Sequence, residues 1–266
     1  MDGTLLDLSG RVRPRVAASI QAARDRGCAV VLATGRRLQS VEPIAARLGI
    51  ATVILTDGTV VYDCSARQAI FERTLSSNHL RLGIALSVEA EISPILYESP
   101  AVGGRMIAGP VSAADPESEL FLANRPEVHR LPVDRLELVE RVIALIAIAD
   151  QERVGRLTVS AAAVGVFTMI RWFPSKVGYQ HNAVSLAPSA TSKGLALRWL
   201  AAEWGIPIEA TLAIGDYEND VSLVAAAGIG VAMGNAVESV KGVAQFVVSD
   251  CENDGVAEAI DRFVLG

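Results

Sequence analysis

The chain has little of several things that would otherwise direct its function. Among 266 residues there are three cysteines and three histidines. Cys28, Cys64 and Cys251 are widely spaced and no pair has zinc-ligand spacing, which argues against a zinc site and a disulfide framework. Reduced thiols of the cytoplasmic kind are the expectation. His79, His129 and His181 form no ligand pattern and read as surface or packing residues. Aromatic residues are 5% of the chain, and Trp172, Trp199 and Trp204 read as core or interface groups. There is no basic run and the formal net charge is −6, so nucleic acid is not expected as a partner. An acidic protein can still bind an anion where a metal and backbone N–H groups supply positive potential. The apolar stretch Val142 to Ala149 is too short to span a bilayer. Asp2 follows Met1 with no basic n-region before it. A soluble, cytoplasmic chain is expected, without membrane contact, as a monomer or homodimer.

What is there alternates between two periods. Pro14 opens a helix with Val16, Ile20 and Ala23 on one face, and Gly27 closes it. Cys28 to Ala33 is a continuous apolar run of the kind found in buried parallel strands. Leu38 to Leu48 predicts a helix, Ala51 to Leu55 a strand, and Asp57-Gly58 a turn into a strand at Thr59 to Tyr62. The last part repeats the pattern. Thr191 or Ser192 can cap a helix carrying Leu197, Leu200, Ala201 and Trp204. Strands follow at Thr211 to Ile214, Ile229 to Met233 and Phe246 to Val248, with helices between. Such alternation predicts an α/β fold, a Rossmann-like doubly wound parallel sheet with helices on both faces. The middle, 66–181, is rich in Pro and Gly. It predicts a helix at Val133 to Arg141, the apolar run at Val142 to Ala149, a helix at Gln151 to Ala163 and a strand at Val166 to Trp172. We read 1–65 with 182–266 as a core and 66–181 as an inserted α+β domain, with hinges near Ser65 and Asn182.

Four short segments carry chemistry. Asp2-Gly3-Thr4 alone is an ordinary turn sequence. Thr34-Gly35-Arg36 follows an apolar strand and precedes a helix. That puts a hydroxyl and free N–H groups where phosphate binds readily, or merely a capping Thr in a strand-to-helix turn. Lys193 stands at a helix start, where the macrodipole disfavours a cation; a solvated surface lysine is the plainer alternative. Gly215-Asp216-Tyr217-Glu218-Asn219-Asp220 sets two carboxylates and an amide behind a buried strand. That donor set suits a hard cation, although Asn219 could simply cap the next helix.

In this order the segments resemble the motifs of the haloacid dehalogenase-like phosphatases, of the Cof type with a large cap. The signature there is Asp-x-Asp-Gly-Thr-Leu-Leu, and Met1-Asp2-Gly3-Thr4-Leu5-Leu6 is similar to it from the x position onward. The resemblance implies Mg²⁺-dependent hydrolysis of a small phosphate monoester, such as a sugar phosphate, through an aspartyl-phosphate. Asp2 is then the acid–base aspartate. Thr34, Gly35 and Asn219 are phosphate contacts, and Lys193 neutralises the phosphate. Asp216 is a direct metal ligand, Asp220 a direct or water-mediated one, and Asp2 a third. The inserted domain is then the cap that selects substrate. Met233-Gly234-Asn235-Ala236 also matches, with Asn235 near the site mouth. Asp57-Gly58 stands where the family has Asn-Gly, and reads as a structural departure. The nucleophile and the strand before it fall ahead of Met1. Very slow turnover of an aryl phosphate, or none, is therefore expected of the chain, along with a start at an internal methionine. Two other readings follow from the same point: a phosphate- and metal-binding relative without turnover, and a phosphotransferase.

Overall fold

A computed structural model describes residues 1–110, 115–123, 125, 127–172 and 182–266. His181, the last residue of the expected inserted interval, lies outside the described residues. The chain forms two compact units, one from Met1–Ile70 with Ser192–Gly266 and the other from Phe71–Thr191. The second crossing thus falls ten residues beyond the position expected from sequence. The reason is the strand Asn182–Pro188, which pairs antiparallel with both Val142–Ala149 and Phe167–Trp172 and so belongs to the inserted unit.

In the first unit, helix Pro14–Asp25 starts on Pro14 and buries Val16, Ile20 and Ala23. Strand Val31–Ala33 runs parallel to Thr52–Leu55, with helix Leu38–Arg47 as the crossover. The strand is shorter than the apolar run predicted. Cys28 still belongs to the helix exit, its N–H bonded to the carbonyl of Ala23 at 3.1 Å. Thr52–Leu55 then pairs antiparallel with Val60–Asp63 across the turn at Asp57-Gly58. Strands Leu212–Gly215, Ile229–Ala232 and Phe246–Val247 form a second, wholly parallel sheet. The α/β class is as the sequence predicts, but the parallel strands lie in two sheets, and no strand among the described residues joins them.

The inserted unit is built on a six-stranded sheet in the order Val128–Arg130, Met106–Ala108, Ile95–Glu98, Val142–Ala149, Asn182–Pro188, Phe167–Trp172. Every residue of Val142–Ala149 is buried. Helices Ser77–Glu89 and Gln151–Val164 close a core of Leu80, Ile84, Leu96, Leu145, Leu157 and Leu186. The helix expected at Val133 to Arg141 is only Val133–Leu136. Arg141 takes a left-handed φ of 53° and its carbonyl accepts from Ser99 N–H at 2.9 Å, which turns the chain directly into the long strand. Trp172 Nε1 donates to Ser185 Oγ at 3.0 Å and packs near Phe121. His79 meets the Phe167 ring edge-on. No helix among the described residues is long and apolar enough to cross a membrane.

Candidate active site

All seven candidate residues lie in the first unit, on a tight turn, on loops that follow strands and at the start of a helix. Met1–Leu6 is a tight turn in which the Met1 carbonyl accepts from Thr4 N–H at 3.3 Å and Leu6 N–H at 2.9 Å. Leu5 and Leu6 anchor it in the core. Gly3 has φ 72°, and a Cβ there would collide with Asp216 Oδ2. Only glycine allows this approach. The next residue, Thr4, donates its hydroxyl to Asp216 Oδ1. Asn235 Nδ2 donates to the Gly3 carbonyl at 2.8 Å and holds the turn from the other side.

Thr34 continues from strand Val31–Ala33. Its N–H donates to Ile54 O at 2.9 Å and its hydroxyl accepts from Arg36 N–H at 3.1 Å. Arg36 in turn grips Asp2 with two nitrogens, Nε to Oδ2 at 2.9 Å and a terminal nitrogen to Oδ1. The neighbouring loop, Thr56-Asp57-Gly58, is left-handed at three successive residues, with φ of 45°, 57° and 99°. A β-branched residue at such a φ is strained. Two backbone bonds hold it there, Thr56 N–H to Arg36 O at 3.2 Å and Asp57 N–H to Thr34 O at 3.0 Å. A Cβ on Gly58 would strike the Ser192 carbonyl, so this loop also lies directly on the start of helix Lys193–Glu203.

That helix is capped by Ser192, whose Oγ accepts from Leu195 N–H at 3.1 Å. Lys193 is its first residue, only 2% exposed. Its Nζ donates to Asp220 Oδ1 at 2.6 Å and stands 3.8 Å from Asp57 Oδ1. The other oxygen of Asp220 accepts from the N–H groups of Asp216 and Tyr217 at 3.1 and 3.3 Å. Asn219 does not cap the following helix; its Nδ2 donates to Asp57 Oδ1 at 2.7 Å. The cluster thus links six separate stretches of chain, Asn235 included, through hydrogen bonds and ion pairs. A cavity of about 390 Å³ in the other unit, lined in part by Glu98, Arg105 and Leu138, contains none of these residues.

The electrostatics divide the carboxylates. Burial pushes Asp57 up, and Lys193 and the Asn219 amide reverse this only in part. Burial likewise raises Asp216 above the usual range despite the Thr4 hydroxyl. For Asp220 burial acts upward too, but the Lys193 charge and hydrogen bond outweigh it and the carboxyl ends lower. Asp2 also ends lower, because Arg36 overcomes its partial burial. Lys193 is desolvated, yet Asp220 and Asp57 raise it.

Among the described residues no three acidic, His or Cys side chains are grouped as metal ligands. Asp2 is engaged by Arg36 and Asp220 by Lys193. The donor set nevertheless fits a divalent cation. Four carboxylates, of Asp2, Asp57, Asp216 and Asp220, are linked with only two cationic side chains, Arg36 and Lys193. Of these, Asp216 has no cationic side chain within ion-pair distance among the described residues, and oxygen-only donors suit Mg²⁺.

Three participants go beyond what the sequence assigns. Thr4 and Arg36 lie inside the motif segments but carry no role there. Asp57 reads as structural from sequence, because Asp-Gly is a common turn pair. Its one signal was the departure from Asn-Gly.

With the α/β fold and the geometry of this cluster established, comparison with known proteins gives the class. The model of the haloacid dehalogenase-like hydrolases matches residues 1–260, and the chain belongs to that family. It is 27% identical to the Pyridoxal phosphate phosphatase YbhA of Escherichia coli over 98% of this chain and 95% of that protein. It is also 27% identical to a chloroplastic Endoribonuclease YBEY of Arabidopsis thaliana, where all of this chain spans 46% of that protein's length. A haloacid dehalogenase-like hydrolase from Bacteroides thetaiotaomicron has a similar fold, with TM-score 0.82 at 24% identity, over 98% of this chain and 96% of that one.

Proposed function

We propose that the protein is a Mg²⁺-dependent phosphatase acting on a small phosphate monoester, a sugar phosphate or a related metabolite such as pyridoxal phosphate. The observation that carries this reading is the bonded network of Asp2–Arg36, Thr4–Asp216, Lys193–Asp220 and Asn219–Asp57 at the ends of parallel strands. Such strand ends are where ligands bind in open α/β sheets. In this reading the hydroxyl of Thr34, the backbone of Gly35 and the amide of Asn219 hold the phosphate. Lys193 offsets its charge and keeps Asp220 ionised. Asp2 gives a proton to the leaving oxygen and later takes one from water, with Arg36 fixing the orientation of its carboxyl. Asp216, with Asp2 and Asp220, would hold Mg²⁺, which would neutralise charge on a phosphate oxygen. The inserted unit, 71–191, would serve as the cap that selects substrate.

The test is phosphate release from p-nitrophenyl phosphate and pyridoxal phosphate, with Mg²⁺ and with chelator. It uses a chain that carries an aspartate at the motif's first position, two residues ahead of Asp2. Activity is expected only with metal. Asp216→Ala should remove rate and metal dependence together, and Asp2→Asn should cost on the order of 10²-fold or more. Metal-independent turnover, or full activity in Asp216→Ala, would sink this reading.

A further inference from the structure

Asp57 is the one buried carboxyl of the cluster that the proposed chemistry does not use. It is 5% exposed and held on a left-handed backbone by the bond from its own N–H to Thr34 O. Asn219 occupies Oδ1 at 2.7 Å. Oδ2 accepts no hydrogen bond among the described residues, and it lies 2.9 Å from where a Cβ on Gly35 would stand. The carboxyl therefore presses on the same turn, Thr34-Gly35, that is read as a phosphate cradle. Its charged surroundings are few. Lys193 faces it from the helix start at 3.8 Å, but bonds to Asp220 instead. Asp220 itself adds like charge from the neighbouring loop. Thr34 and Gly35 offer no charged side chain, and Arg36 is taken by Asp2.

A phosphate group in this cradle meets a carboxylate that the single lysine does not fully offset. Two like-charged oxygens sharing a desolvated site hold a proton between them. We propose that Asp57 makes the cradle selective for a protonated pair: one proton, taken from solvent, bridges Asp57 Oδ2 and an oxygen of the bound phosphate. This rests on the reading of Thr34, Gly35, Lys193 and Asn219 as a phosphate site. Asp57 is then a specificity-determining residue, and a carboxyl at this turn gives the chain a pH dependence that an amide would not. The direction in which burial moves its carboxyl agrees with this.

The experiment is calorimetric titration of phenyl phosphate, whose dianion carries no proton of its own, into the 266-residue protein with excess Mg²⁺, at a series of pH values above the second ionisation of the ester. Two buffers of different ionisation enthalpy count the protons. For the unaltered protein, affinity is expected to fall about tenfold per pH unit on the alkaline side, with about one proton taken up per phosphate. That slope and proton count test the idea without any variant. Asp57→Asn should bind at least as tightly at alkaline pH, with a flat profile and no uptake. Thr34→Val should lose most phosphate binding in either background. A flat profile in the unaltered protein, or an unchanged slope in Asp57→Asn while Thr34→Val still fails to bind, overturns the shared proton and leaves the phosphate site standing. Unchanged binding in Thr34→Val removes the site, and the proposal with it.

Discussion

At the scale of single residues, the site is held by one buried cation serving two buried anions. Removing a partner from such a set leaves a charge without compensation, at a cost of about 3–5 kcal/mol. Lys193→Met should therefore lower stability by about that much in urea unfolding. Adding Asp57→Asn should recover part of the loss, since one stranded carboxylate is gone; a strictly additive double variant would contradict the coupling. The two carboxyls also give stability opposite pH dependences. Asp220 is depressed below its ordinary 3.8, so its contribution is present above that value and lost as pH falls through the lower folded one. Asp57 is raised above 3.8, so its contribution is present below that value and lost as pH rises through the folded one. Melting temperatures of Asp57→Asn should gain on the unaltered protein as pH rises from about 4 toward neutrality. Little of this was legible in the sequence. Asp216 and Asp220 announce themselves by spacing, whereas Asp57 becomes a site residue only because two left-handed residues and a glycine set its loop between Thr34 and Ser192. Nothing in a string of letters distinguishes that loop from any Asp-Gly turn.

Whole elements follow periodicity closely where length and cap agree. Helices Pro14–Asp25 and Lys193–Glu203 begin at the Pro and Ser that sequence marks as starts. The run Val142–Ala149 was plainly apolar, but only its eight buried residues paired with two neighbours identify it as a central strand. The helix expected after Val133 ends early, because the backbone at Arg141 is recruited by Ser99 from a distant segment. Long-range bonds of that kind override local preference. Close packing also sets a limit that sequence hides. A Cβ on Gly194 would collide with the carbonyl of Ser222, where the helix of Lys193 meets Val221–Ala226. Backbone cannot yield as a side chain tip does. Gly194→Ala is expected to cost about 1–3 kcal/mol by overpacking. It should also weaken phosphate binding by displacing Lys193. Unfolding curves matching those of the unaltered protein would refute this.

For the whole molecule, the decisive fact is that each unit has its own core. Leu157 is fully buried in the inserted one. Leu157→Ala should cost that unit about 2–5 kcal/mol. Hydrogen exchange should then speed up across 71–172 and 182–191 and leave the buried amides of the first unit protected. Uniform loss of protection over both would show a single cooperative unit instead. The threading of the chain adds a temporal consequence. The inserted unit is continuous, Phe71–Thr191, whereas the first is written in two pieces separated by it. On a ribosome the N-terminal piece emerges early but lacks Lys193, Asp216 and Asp220 until the last stretch appears. The inserted unit can close its sheet while the first unit still waits for its second piece, Ser192–Gly266. Premature termination after about residue 191 should yield a protease-resistant fragment spanning the inserted unit, attached to an N-terminal arm that is digested.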